Sequence, residues 1–96
     1  MATQTVVGTL YKDPNEIRTF YMDWSAHIGV NQIVSSQWSV DVGVEVQASG
    51  ILSGGIKTHV TLSGGTPGAS YHCTNTITLS TGEVYEKTGL LGIRQQ

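Results

Sequence analysis

The stretch TLSGGTPGASYHCTNTITLSTGE, Thr61 to Glu83, decides how the chain folds. Its first part, Ser63 to Ser70, is rich in Gly, Pro and Ser and reads as a loop. From Tyr71 to Leu79 the residues alternate. Tyr71, Cys73, Ile77 and Leu79 fall on one face at a period of two, and His72, Thr74, Thr76 and Thr78 fall on the other. A two-residue period with many threonines is the pattern of a half-buried β-strand rather than a helix. Ser80-Thr81-Gly82 supplies a tight turn into a further strand. The spacing Tyr71-x-Cys73 also fits a tyrosine corner, the Tyr two residues before a core Cys that marks immunoglobulin-like sandwiches.

Working outward, Ile56 to Leu62 alternates with Ile56, Thr58, Val60 and Leu62 inward, and Val42 to Ala48 with Val42, Val44, Val46 and Ala48 inward. Gln32 to Val40 is expected to place Val34, Trp38 and Val40 on one face, with Trp38 a large buried core residue. Glu16 to Trp24 has apolar residues in both phases, Ile17 and Tyr21 against Phe20, Met22 and Trp24. It therefore reads as a central strand covered on both sides. Met22 or Trp24 would occupy the place that a core cysteine holds in an immunoglobulin domain. Ser25 to Asn31 reads as a loop and Ser49 to Gly55 as a turn cluster. Asp13-Pro14-Asn15 is a turn in which Pro presets φ and the Asp and Asn side chains bond back to the backbone. The last strand runs from Glu83 to about Ile93, with Gly89 and Gly92 suggesting a bulge or bend. The sum is an all-β, single immunoglobulin-like β-sandwich of six to seven strands. Residues 1–12 form an N-terminal arm or edge strand, whose Val6, Val7 and Leu10 pair or dock on a neighbour. Residues 13–96 form the sandwich domain.

A chain of 96 residues with net charge −2, one cysteine, 12 glycines and only 12% charged residues fits one domain. That charge content is about half the ~25% usual for soluble domains, which suits a surface spent on contacts with other subunits. No basic cluster supports nucleic-acid binding. One cysteine forms no internal disulfide. No segment approaches the ~20 apolar residues of a membrane helix. Met1 to Val7 lacks the features of a secretion signal, so the expectation is synthesis in the cytoplasm and assembly there.

No constellation of side chains points to chemistry. His72 and Cys73 are neighbours on a strand and so point to opposite faces, which argues against a shared metal site. Cys73, in the inward phase, reads as a small buried residue rather than a nucleophile. His27 falls in a loop, and His59 and His72 on outward faces. Ser35, Ser36, Ser63 and Ser70 lack a nucleophile-elbow motif. The acids Asp13, Glu16, Asp23, Asp41, Glu45, Glu83 and Glu86 are scattered. Gly54-Gly55 and Gly64-Gly65 are turn glycines with no helix after them to cradle a phosphate. The expectation is no catalytic residue, no metal, no cofactor and no enzyme activity. Tyr11, Tyr21, Tyr85, Trp24 and Trp38 would offer a carbohydrate-stacking platform if exposed.

The order of short blocks is more specific. Lys12-Asp13-Pro14-Asn15-Glu16 is followed by Tyr21-Met22-Asp23-Trp24-Ser25 and then by Ile33-Val34-Ser35-Ser36-Gln37-Trp38-Ser39-Val40. Leu62-Ser63-Gly64-Gly65-Thr66-Pro67-Gly68 and Tyr71-His72-Cys73-Thr74-Asn75-Thr76-Ile77 come next. Between about Lys12 and Glu86 the chain resembles a family of small tailed-bacteriophage structural proteins of the fiber–tail adaptor type. It departs from that family at Thr61, where Trp is frequent, at Asp41, where Pro is common, and in lacking an Arg after the turn glycine Gly82. The resemblance implies a non-enzymatic virion component with an immunoglobulin-like fold, present in several copies. It would bind tail, fiber, portal-adaptor or capsid proteins and further copies of itself, but neither nucleic acid nor membrane. Two other roles stay open: a capsid decoration (cement) protein, and a carbohydrate-binding adhesion module.

Overall fold

The computed structural model describes the backbone of residues 6–52 and 54–95, and the side chains of 10–52 and 54–95. The first five residues of the expected arm lie outside these. Seven strands and one helical turn follow in order: β1 (Val6–Lys12), β2 (Arg18–Asp23), α1 (Ser25–Ile28), β3 (Ile33–Val40), β4 (Val44–Ile51), β5 (Lys57–Gly64), β6 (Ser70–Leu79) and β7 (Val84–Ile93). They form a sandwich of two sheets, ordered β1-β7-β6-β3 and β2-β5-β4. This is an immunoglobulin-like arrangement with one change from the constant-type partition. The first strand has left the smaller sheet and lies parallel to the last, Leu10 beside Leu91 and Lys12 beside Ile93.

The β6–β7 hairpin is the spine. Its antiparallel register runs without interruption from Ser70 opposite Gly92 to Thr78 opposite Val84. The tight turn expected at Ser80-Thr81-Gly82 is present, with Gly82 at φ +91° and its N–H bonded to the Leu79 carbonyl at 2.9 Å. No bulge interrupts this ladder at Gly89 or Gly92; the irregularity falls instead between β1 and β7, at Val6 to Thr9. Gly92 is explained by close approach, since a Cβ there would lie 2.9 Å from the Tyr11 ring. The tyrosine corner is formed: the Thr66 N–H donates to the Tyr71 hydroxyl at 3.0 Å. Gly43 belongs to the same corner. It sits at φ +120°, and a Cβ on it would come within 2.6 Å of the Tyr71 ring.

Two apolar clusters fill the space between the sheets. One gathers Phe20, Val60, Leu62, Tyr71, Cys73 and Leu91 with their neighbours, and the other Met22, Trp24, Ile28, Ile33, Ile77 and Leu79. Trp38 packs against both. Along the inward face of β6 the boundary between the clusters falls at Asn75, which is fully buried. Its Oδ1 accepts from the Trp24 indole N–H at 3.0 Å and from the Thr58 hydroxyl at 2.6 Å. Its Nδ2 donates to Ser36 Oγ at 2.9 Å and to the Gln37 carbonyl at 3.0 Å. All four hydrogen-bonding positions of the amide are used, and they tie β6 to β3 within its own sheet and to β5 and the end of β2 across the sandwich.

Several expectations are corrected. β2 is an edge strand, not a central one, and its outward phase is open: Ile17 is 68% and Tyr21 62% exposed. Apolar residues in both phases reflected an accessible surface rather than a second covering layer. Phe20, rather than Met22 or Trp24, shares a cluster with Cys73. In β3 a register shift between Ile33 and Ser35 makes Ile33 the buried residue and leaves Val34 exposed. In β4 only Val44 is buried. Val42 is in the preceding turn and fully exposed, and a register shift between Val46 and Ala48 breaks the expected inward run. Trp38 is partly covered rather than fully buried, and its Nε1, itself buried, has no hydrogen-bond partner among the described residues. The segment expected as a loop after Trp24 contains one helical turn that buries Ile28.

Replacing Asn75 with Ala leaves two donors and two acceptors in the interior unpaired, at about 1–3 kcal/mol each before relaxation. Asn75→Ala is therefore expected to lower the unfolding free energy by about 3 kcal/mol. Urea unfolding followed by tryptophan fluorescence measures this, and a loss under about 1 kcal/mol contradicts the bridging role.

Candidate interaction surfaces

The side chains singled out for chemistry are dispersed by the fold. Cys73 faces inward, and burial, with a smaller contribution from the nearby Asp41 charge, pushes its thiol up to about 11. At neutral pH it is a thiol in an apolar wall, not a thiolate. His72, next in sequence, faces outward. Its backbone N–H donates to Asp41 Oδ2 at 2.8 Å, and its Nδ1 lies 3.0 Å from the same oxygen. These bonds to His72, the backbone one first, hold the Asp41 carboxyl below its ordinary value of 3.8. The pair clips the β3–β4 turn to the start of β6, with Cys73 on the opposite side of the strand. Sequence reading treated Asp41 as a scattered acid; only the closure of β3 onto β6 brings it to His72.

His27 is exposed and meets Trp24 edge-on at 6.0 Å between ring centroids. His59 lies over Gly50, where a Cβ would come within 2.7 Å of its Nε2. Among the described residues no three His, Cys, Asp or Glu side chains converge as metal ligands would. Of the five aromatics proposed as a stacking platform, Trp24 is 1% exposed and Trp38 partly covered. Lys87 sits 4.4 Å above the Trp24 ring and donates to the Asp23 carbonyl at 2.7 Å. The Tyr85 hydroxyl donates to Glu83 at 3.0 Å. Tyr11, Tyr21 and Tyr85 are exposed, Tyr11 and Tyr21 on neighbouring edges.

The surface has other features suited to contact. Each sheet ends in two edges, β1 and β3 in one, β2 and β4 in the other. β1 and β2 flank an open groove of about 460 Å³ lined by Leu10, Tyr11, Arg18, Thr19, Phe20 and Tyr21. Beneath it an apolar cavity of about 30 Å³ reaches Met22, Trp38, Cys73 and Leu90. At the end of the sandwich where the β2–β3, β4–β5 and β6–β7 connections meet, Val30, Val34 and Val84 project into solvent, at 99%, 60% and 61% exposed. The connections are joined there by backbone bonds from Ile33 to Gly55 and from Ser80 to Gln32.

Fold and surface together define a small immunoglobulin-like interaction module, with a tight polar-braced interior, open sheet edges and exposed apolar residues on edges and loops. The chain belongs to the family of the podophage GP4 fiber–tail adaptor protein gp77, whose family model matches residues 12–91. This is a bacteriophage structural family, and the matched span runs from the end of β1 into β7. No curated relative matches the chain.

Two outcomes follow from the site geometry. Native protein at pH 8 is expected to leave Cys73 unreactive toward a chromogenic disulfide reagent, with one equivalent titrating in denaturant; rapid native labelling contradicts the burial. The Asp41 carboxyl is lowered in the folded state, so its contribution is present above pH 3.8 and is lost as pH falls through the folded value. Asp41→Asn is expected to destabilise at pH 6 and to converge on the parent protein as the pH drops below about 4, measured by thermal unfolding across pH.

Proposed function

We propose that this chain is a non-enzymatic adaptor of the phage virion, a multi-copy β-sandwich that joins tail and fiber proteins. The observation that carries the reading is the family match across residues 12–91. The fold is consistent with it. A module that links two larger assemblies needs a shape that does not yield under load and more than one adhesive face. The Asn75 bridge and the two apolar clusters supply the first. The β1–β2 groove on one flank and the apolar loop end around Val30 and Val84 supply two separate faces.

In this reading residues 13–96 form the body, and β1, Val6–Lys12, within the N-terminal arm of residues 1–12, adds an edge strand to it. The low charge, 12% of residues, limits the desolvation cost of covering these faces. Each copy would contribute little area, and repetition around the tail would raise the avidity of the joint.

Locating the protein in particles of the encoding phage tests this. The expected result is density for several copies at the junction of tail and fibers, with particles lacking the protein losing their fibers. Density confined to the capsid surface would instead establish a decoration protein. Size-exclusion chromatography with light scattering on the isolated chain then reports whether the copies associate before they reach the particle.

A further inference from the structure

We propose that the groove between β1 and β2 receives an extended acidic segment of a partner tail or fiber protein, added as a strand to the free edge of β2. The source of the segment rests on the adaptor reading above; its chemistry rests on the groove alone. β2 pairs through one edge with β5, from Arg18 opposite Leu62 to Asp23 opposite Lys57. No described strand pairs with its other edge. An added strand would satisfy the backbone groups there and place alternate side chains on the two faces. Six residues of β2, about 20 Å in extended form, set the length.

The walls set the composition. Leu10 is 44%, Tyr11 42% and Tyr21 62% exposed, so an apolar residue of the incoming strand would be covered in the notch over Leu10 and Phe20. Arg94 stacks on the Tyr11 ring at 3.6 Å, and Arg18 reaches the Tyr11 carbonyl at 3.3 Å. Arg18 thus lines the groove and Arg94 sits on Tyr11, one of its lining residues; they are two of the five Lys and Arg residues of a molecule with net charge −2. The nearby carboxylates are turned into their own loop. Asp13 Oδ1 accepts from the Asn15 N–H at 2.8 Å and Glu16 Oε1 from the Asp13 N–H at 2.8 Å. At the far end Asp23 accepts from the Ser25 N–H at 2.9 Å and is opposed by the charges of Lys57 and Lys87. Two exposed guanidinium groups near an open strand edge favour an incoming strand that carries carboxylates.

A second copy of this chain fits less well. Its own edges are β1, which carries Lys12, β2, whose one carboxylate is Asp23, β3, which has no charged residue, and β4, which has Glu45 alone. None offers two carboxylates in an extended run.

The test uses the full chain in the particle, with Tyr21 replaced by the photo-cross-linker p-benzoylphenylalanine and, as control, the same replacement at Gln47 on β4. After irradiation, mass spectrometry is expected to find Tyr21-position cross-links to one stretch of another virion protein with at least two Asp or Glu in six residues. Yield should fall about fivefold with Arg18→Glu and Arg94→Glu together, as two exposed ion pairs allow, and on raising salt from about 0.1 M to about 1 M. Exclusion of the Tyr21 variant from particles that accept the Gln47 variant also supports docking here, provided both unfold at the same temperature. The proposal is overturned by cross-links to this chain itself, by cross-links to a stretch without carboxylates, or by none in particles that contain the variant. Absence of the unmodified protein from particles instead overturns the adaptor reading, and this proposal with it.

Discussion

A carboxamide buried between two sheets is stable there only if every one of its donors and acceptors is met, and Asn75 meets that condition with four partners on two strands and the residue after a third. The demand is geometric as well as energetic. Hydrophobic contacts tolerate sliding, because one methyl substitutes for another. Four hydrogen bonds around a planar amide do not. The separation of the sheets, the register of β6 against β3 and the position of Trp24 are thereby set together. The two apolar clusters then close on either side of a fixed point, with Trp38 reaching across both.

The periphery depends on this interior. With the β6–β7 ladder continuous and the tyrosine corner pinned between Tyr71 and Thr66, the edges can remain open without loosening the body. Sheet edges left open invite pairing, and proteins that must stay monomeric usually blunt them with charge. Here β3 carries no charged residue and β4 only Glu45, which leaves backbone and apolar side chains available to neighbours. β2 is different in kind: its open edge is bordered by guanidinium groups, so its invitation is selective.

The buried Lys12 shows how the first strand is retained at the margin of the larger sheet. Its ammonium group donates to the carbonyls of Asp13 and Glu16, at 2.7 and 2.6 Å. It closes the turn that carries the chain from one sheet to the other. The parallel pairing of β1 with β7 needs such an anchor, since a single edge strand buries little area by itself.

The alternation of Tyr71 to Leu79, the Ser80-Thr81-Gly82 turn, the Tyr71-x-Cys73 corner and the Asp13-Pro14-Asn15 turn were all legible in the sequence. Each depends on neighbours within a few residues, where backbone period and turn chemistry act. The order of short blocks likewise carried the family. What lay beyond reach required knowing which strand lies beside which. Phe20 and Tyr21 look alike to a hydropathy pattern, and only the sheet order shows that one is core and the other surface. Register shifts in β3 and β4 moved Val34 and Ala48 out of the phase their spacing implied, because one extra residue reverses every side chain after it. Asn75, Trp24 and Thr58 are separated by up to 51 residues, and Arg18 and Arg94 by most of the chain. Their meeting is a property of the closed sandwich, where long-range packing rather than local propensity sets who touches whom.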